Sequence, residues 1–259
     1  MSSSLRTQVG QLARRSVLRT LRQPAQIVPA LVFPLFLLAV NSSGLATATG
    51  LPGFPTDSYL TFALAVTFMQ GALFSLLNSG TDLARDIETG FLNRLALTPL
   101  RGAALLSGLL AGAALLGLVQ ACTYLLVGVI FGAHFATGIA GVGTIVALSL
   151  LITVGFGSVG LFAALRTGSG EAVQSLFPVF FVFLFLSSMA LPRNLIETDW
   201  FREVATYNPV SYLLEAIRSL LIGGWNPEAL ALGFGVATAI LVIGMAAASG
   251  SLKTRLVRT

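Results

Sequence analysis

Charge is scarce in this chain of 259 residues: 10% of the side chains are charged, 55% are apolar, and the mean hydropathy is +0.88. A water-soluble domain of this length does not carry so little charge, which leaves the bilayer as the solvent. Lysine, histidine and cysteine each occur once, as Lys253, His134 and Cys122. A Walker A loop needs a lysine at the end of a glycine-rich turn, and the surroundings of Lys253, AAASGSLKTR, do not supply one. Metal and nucleophilic sites draw on clusters of His, Cys and carboxylates, so an isolated histidine in the loop FGAHFATG and an isolated cysteine are not expected to form one. A single cysteine also excludes an intramolecular disulfide, and its place in an apolar run makes it a small buried hydrophobe. The net charge of +5 is spread thinly between apolar stretches without interleaved aromatics, which argues against nucleic acid as a partner. No removable signal peptide is evident, because the first apolar stretch is broken by Pro29 and Pro34 and lacks a small-residue cleavage site.

What the chain does have is long apolar runs. About 20 residues of helix are needed to cross the hydrocarbon core, and six runs of that kind lie at about 25–46, 59–80, 103–130, 139–165, 172–191 and 228–250. Each is bounded by charged or turn-forming residues, among them Asp57, Asp82, Arg101, Arg166, Pro192 and Asn226. The reading is all-α: one six-span bundle over 1–259, with a surface segment over 1–24, spans one to five over 25–191, an outer segment over 192–227, span six over 228–250 and a tail over 251–259. With the N-terminus in the cytoplasm, twelve of the fifteen Lys and Arg fall on the cytoplasmic side and only Arg193, Arg202 and Arg218 outside. An even number of spans returns the C-terminus to the same side.

Residues 5 to 22 read as an amphipathic helix lying along the membrane surface, with Leu5, Val9 and Leu12 on one face and Arg15, Arg19 and Arg22 on another. In the outer segment, Val210, Leu213, Leu214, Ile217, Leu220 and Leu221 form a helical stripe opened by Asn208-Pro209 and closed by Gly223-Gly224. Such a helix either dips part-way into the outer leaflet as a re-entrant element or lies flat on it. No run carries Asp, Glu, Lys or Arg near its centre, which argues against proton or sodium coupling and against a carboxylate-ringed channel. Energy is therefore expected from a partner. The richest loop for receiving it spans residues 81 to 108, where Asp82, Arg85, Asp86, Glu88 and Arg94 sit at helical spacings and Ile87, Phe91 and Leu95 form an apolar stripe. Thr98 and Pro99 suit the start of the next helix. The loop reads either as a salt-laced connector or as a docking helix for a partner subunit.

Two stretches resemble the permease subunits of type-2 ATP-binding-cassette exporters, the class of drug-efflux, lipo-oligosaccharide and polysaccharide export permeases. ARDIETGFLNRLALTPLRGAALLSG is similar to the family's loop pattern through Glu88, Gly90, Leu95 and Pro99. YNPVSYLLEAIRSLLIGG is similar to its second signature through Asn208, Pro209, Tyr212, Glu215, Ala216, Arg218 and Gly223. The resemblance implies a protomer that pairs with a second copy or a homologue. Two separate ATPase subunits would bind ATP and Mg, and this chain would hold no cofactor. It places ATPase docking at Arg15, Arg19, Asp86, Glu88, Phe91, Arg94 and Leu95, and an outer helix at Asn208, Pro209, Tyr212, Glu215 and Arg218. In related exporters the cargo route lies between the second and fifth spans, here lined by Phe62, Val66, Met69 and Leu73 and by Phe177, Phe181 and Phe185. Aromatic and Met surfaces suit lipophilic cargo because they adapt to shape.

The expected function is the membrane subunit, not itself an enzyme, of an ATP-driven exporter of drug-like or lipid molecules. It would sit in the inner membrane of a prokaryote with both termini cytoplasmic. The alternatives are a polysaccharide-type permease, disfavoured by the few polar residues within the spans, and a non-transporting scaffold or immunity protein.

Overall fold

A computed structural model describes residues 5–96 and 102–257. Thr98, Pro99 and Arg101 lie outside the described residues, as does the side chain of Leu95. Every regular element described is helical: α1 (Leu5–Leu21), α2 (Pro24–Gly44), a 3₁₀ turn (Ala46–Gly50), α3 (Tyr59–Glu88), α4 (Phe91–Ala96), α5 (Gly102–Ile130), α6 (Gly138–Thr167), α7 (Gly170–Gln174), α8 (Leu176–Phe185), α9 (Asp199–Tyr207), α10 (Pro209–Arg218) and α11 (Pro227–Val257). A short 3₁₀ turn over Arg193–Leu195 precedes α9, and α10 widens into a π-type turn over Ser219–Gly223.

Five helices, α2, α3, α5, α6 and α11, are long and apolar enough to cross a membrane. The sixth expected span, 172–191, is not one long helix. It is α7 and α8, which together cover Gly170–Phe185, a rise of about 24 Å against a hydrocarbon core of about 30 Å. The break has a local cause. Pro178 has no N–H to return to the Gln174 carbonyl four residues back, and the chain turns at Ser175. The far end of α8 is fixed by side chains from the next segment.

α3 is the central helix. In its most apolar window 83% of the residues are buried inside the protein, against 17% for α2 and α11, which lie at the periphery. It crosses α6 at closest approach where Gly80 meets Gly160; a Cβ on Gly160 would overlap the Leu76 carbonyl, so only glycine admits this contact. Of Gly155, Gly157 and Gly160 on α6, Gly160 makes the tightest approach.

α1 is helical as expected. It lies against the first half of α5, with Leu12 buried beside Gly108 and Ser16 and Thr20 beside Gly112; Ser16 Oγ donates to the Leu109 carbonyl at 2.9 Å. Together with the C-terminal ends of α3, α6 and α11 it forms one end of the bundle, called the terminal end below. The opposite, distal end gathers the N-terminal end of α3, the α5–α6 loop, the end of α8, and α9 and α10. Cys122, expected to be buried, is exposed on α5. His134 is exposed in the α5–α6 loop, as expected.

Candidate functional site

At the terminal end, the arginines of α1 close onto the carboxylates of α3. Asp86, buried, receives Arg15 at both oxygens (2.9 and 3.0 Å) and Arg19 at Oδ1 (2.9 Å). Arg19 also reaches Asp82 Oδ1 at 3.0 Å, and Gln26 of α2 donates to the same oxygen at 3.3 Å. The spacing of Arg15 and Arg19, and of Asp82 and Asp86, is one helical turn in each helix, so two ridges of opposite charge meet in register. Arg15 further lies over the Phe91 ring, 3.9 Å from its centre.

The sequence-level docking set therefore splits. Arg15, Arg19 and Asp86 are engaged with one another inside the chain, whereas Glu88 and Arg94 are exposed. The apolar stripe expected through Ile87, Phe91 and Leu95 does not run along one helix. α3 ends at Glu88 with Thr89 as its cap, Gly90 takes a left-handed φ of 68° that a side chain would strain, and Phe91 starts a separate short helix. Glu88 Oε1 accepts from the Gly170 N–H at 3.4 Å, linking this turn to the start of α7.

The expected cargo route is also divided. Phe62, Val66, Met69 and Leu73 are buried in the core, because α3 packs against α2, α5, α6 and α10. Val66, Met69 and Leu73 are buried inside this chain, whereas one edge of Phe62 faces a cleft at the distal end. Phe177, Phe181 and Phe185, one turn apart on α8, do form a continuous ladder with ring centres 5.2 and 5.1 Å apart. Phe33 of α2 joins it at 6.3 Å from Phe181, and Phe74 of α3 at 6.0 Å from Phe177. Phe185, at the end of this ladder, is exposed.

At the distal end, α10 packs its whole stripe, Val210, Leu213, Leu214 and Ile217 with Leu220 and Leu221 of the following turn, into the bundle. Its opening follows the sequence: Asn208 Oδ1 accepts from the Val210 N–H at 2.9 Å, and Pro209 occupies the first helical position. The Asn208 amide also donates to the carbonyls of Phe183 and Leu186, which α8 leaves free at its end. Arg218 completes the pin. Its Nε donates to the Phe62 carbonyl at 3.1 Å, Nη1 to Ser188 at 2.5 Å and Nη2 to Met189 at 2.7 Å, and its plane lies 3.5 Å from the centre of the Phe62 ring. Glu215 pairs with Arg193 through both oxygens, and Arg193 lies over Tyr212. Burial acts to lower the Arg193 pKa, but the Glu215 carboxylate outweighs it and holds it above its usual value.

The ABC-2 type transporter family model matches residues 7–222, most of the chain. The chain belongs to the ABC-2 type transporter family. It is similar to the transport permease ycf38 of Pyropia yezoensis, with 30% identity over 234 residues that cover 87% of this chain and 78% of that protein. It is also similar to the doxorubicin resistance ABC transporter permease protein DrrC of Mycobacterium tuberculosis, with 25% identity over 211 residues covering 81% of this chain and 75% of that one.

This ABC-2 permease thus carries two polar sites on an otherwise apolar bundle. The α1–α3 ion-pair network was missed as such by sequence reasoning, although the matched spacing of two Arg and two Asp was its visible signal. The role of Arg218 as a pin on three backbone carbonyls had no sequence signal at all, since it depends on where α8 stops. Among the described residues, no group of three or more His, Cys, Asp or Glu is arranged to hold a metal.

Proposed function

We propose that this ABC-2 permease is the membrane half of an ATP-driven exporter of hydrophobic or amphipathic molecules. It works as a pair with a second copy or a homologue, and two separate ATPase subunits attach at the terminal end, which faces the cytoplasm of a prokaryotic cell. The observation that carries this reading is the Arg15, Arg19, Asp82 and Asp86 network. It joins α1 to the one helix that runs through the centre of the bundle, so a force applied at α1 or at the α3–α4 turn reaches the core without passing through a flexible joint. Exposed Glu88 and Arg94, with Phe91 held beneath Arg15, are the side chains offered to an ATPase subunit. The similarity to DrrC supports lipophilic drug-like cargo. The ladder of Phe177, Phe181 and Phe185, joined by Phe33, is the surface suited to it.

The test is reconstitution of the permease with and without a cognate ATPase subunit, measuring cargo-stimulated ATP hydrolysis and export of lipophilic dyes, drugs and lipids. ATP-dependent transport in the complete complex alone is the expected result. No transport of any such compound overturns the export reading. Glu88→Ala and Phe91→Ala should weaken ATPase co-purification while membrane insertion is retained; undiminished assembly in both sinks the docking assignment.

A further inference from the structure

A cleft of about 520 Å³ opens at the distal end between α3, α10 and the turn before α9. Pro55, Phe62, Pro192 and Ile222 give it an apolar wall, and Arg193, Glu215 and Arg218 give it charge. These charges do not cancel. Both oxygens of Glu215 are held by Arg193, which neutralises that pair. Arg218 is 7% exposed, and no carboxylate forms an ion pair with it among the described residues. Three of its N–H groups donate to backbone carbonyls, and a guanidinium has five, so two remain without an acceptor among the described residues. Arg218 is held in place by neutral carbonyls and an aromatic face, and Glu215, the carboxylate whose charge reaches it, is ion-paired with Arg193, so the three groups together carry a net positive charge. Burial pushes the Arg218 pKa down to about 9, which leaves it charged at neutral pH and poorly solvated.

We propose that this cleft binds the anionic head of an amphiphile, a phosphate, sulfate or carboxylate carried on an apolar body. The head meets the uncompensated charge of Arg218, reinforced by Arg193, and the adjoining apolar segment lies along Pro55, Pro192 and Ile222. The two N–H groups that Arg218 does not spend on carbonyls are the donors for such an oxyanion. The amphiphile is either a lipid of the surrounding leaflet or a molecule leaving the bundle, and the two share this chemistry. Binding here requires neither ATP nor transport, so the site stands or falls separately from the export reading.

The test uses the full-length permease in phosphatidylcholine nanodiscs, with dodecyl phosphate as the probe and inorganic phosphate and phosphatidylglycerol as competitors. Arg218 itself is a poor variant because it also pins α8 and α3. Its neighbours give opposite predictions. Glu215→Gln removes the carboxylate and leaves two cations, and should tighten dodecyl phosphate binding by on the order of tenfold. Arg193→Gln strands the carboxylate beside the head group and should weaken binding by on the order of tenfold. Added salt should weaken binding to both the unaltered protein and Glu215→Gln. If both variants weaken binding, or neither changes it while the thermal midpoints hold, the cleft is a structural joint and the proposal fails. Competition by phosphatidylglycerol identifies a bilayer lipid as one natural occupant and supports the proposal. Competition by inorganic phosphate as strong as that of dodecyl phosphate would overturn the amphiphile assignment, because the apolar wall would then contribute nothing.

Discussion

Pro34 of α2 lacks the N–H that would close on the Ala30 carbonyl one turn earlier, so that carbonyl is left free inside the bundle. α5 supplies the replacement donors: Tyr124 Oη at 2.6 Å and Gln120 Nε2 at 3.3 Å. Gln120 also donates to the Gly71 carbonyl of α3, so three helices share one polar joint in an apolar interior. Tyr124→Phe removes one donor and leaves the other, and should lower stability by about 1 kcal/mol, measured as a lower thermal midpoint in detergent. The Asp86 joint is the stronger of the two because it carries charge. Asp86→Asn keeps the shape but leaves Arg15 and Arg19 with Asp82 as their remaining carboxylate. A loss of about 2 kcal/mol follows, less than for a fully buried pair because Arg15 is partly exposed. Hydrogen exchange should show α1 opening before the rest of the chain; α1 protection equal to that of the unaltered protein would mean the network does not hold it.

At the scale of elements, the crossing of α3 and α6 is set by backbone contact rather than by side-chain interlock. A methyl group on Gly160 would overlap the Leu76 carbonyl and one on Gly80 would meet Val173 and the Gly160 carbonyl, whereas one on Gly155 would rest in ordinary contact with Ala237 and Ile240 of α11. Gly160→Ala should therefore force the two helices apart and cost about 3 kcal/mol, while Gly155→Ala should change stability by under about 1 kcal/mol. Comparing the monodisperse yield and thermal midpoint of the two variants checks this, and equal behaviour would refute it. These elements were unequally legible in the sequence. The α3, α5, α6 and α11 spans, α1, and the Asn208-Pro209 start of α10 could be read from hydropathy, charge and capping, which are local signals. The length of α8 could not. Its apolar run of Phe, Leu and Val reads as a span, and only the placement of Asn208 and Arg218 on the carbonyls of Phe183, Leu186, Ser188 and Met189 shows where it ends. The stripe through Ile87 and Phe91 failed for a similar reason, because helical spacing continues across Gly90 while the helix does not.

For the whole molecule, burial separates residues that look alike in sequence. Val66, Met69 and Leu73 have the composition of a lipophilic route, yet they are buried between α3 and its neighbours and hold the chain together. α8 instead leaves an aromatic face partly open, since Phe185, at the end of the ladder through Phe177 and Phe181, is 53% exposed. In a bilayer such a face meets lipid, a second protomer or cargo, whereas the core of α3 meets only its own chain. The two sets should therefore respond differently to truncation. Met69→Ala opens a cavity in a sealed core and should cost about 2–4 kcal/mol of stability, with transport falling only as folded protein is lost. Phe185→Ala should leave stability within about 1 kcal/mol of the unaltered protein, since its ring is half-exposed, and Phe181→Ala should cost about 2 kcal/mol, since its ring also packs on Phe33 and the core. Their effect should fall on cargo: a several-fold rise in the concentration needed for half-maximal stimulation of ATP hydrolysis, larger for bulky aromatic compounds than for straight-chain ones, at unchanged basal hydrolysis. Should Met69→Ala shift cargo preference at full stability while the two α8 variants shift only the midpoint, the route would run through the centre of each protomer and the aromatic face would be a packing surface.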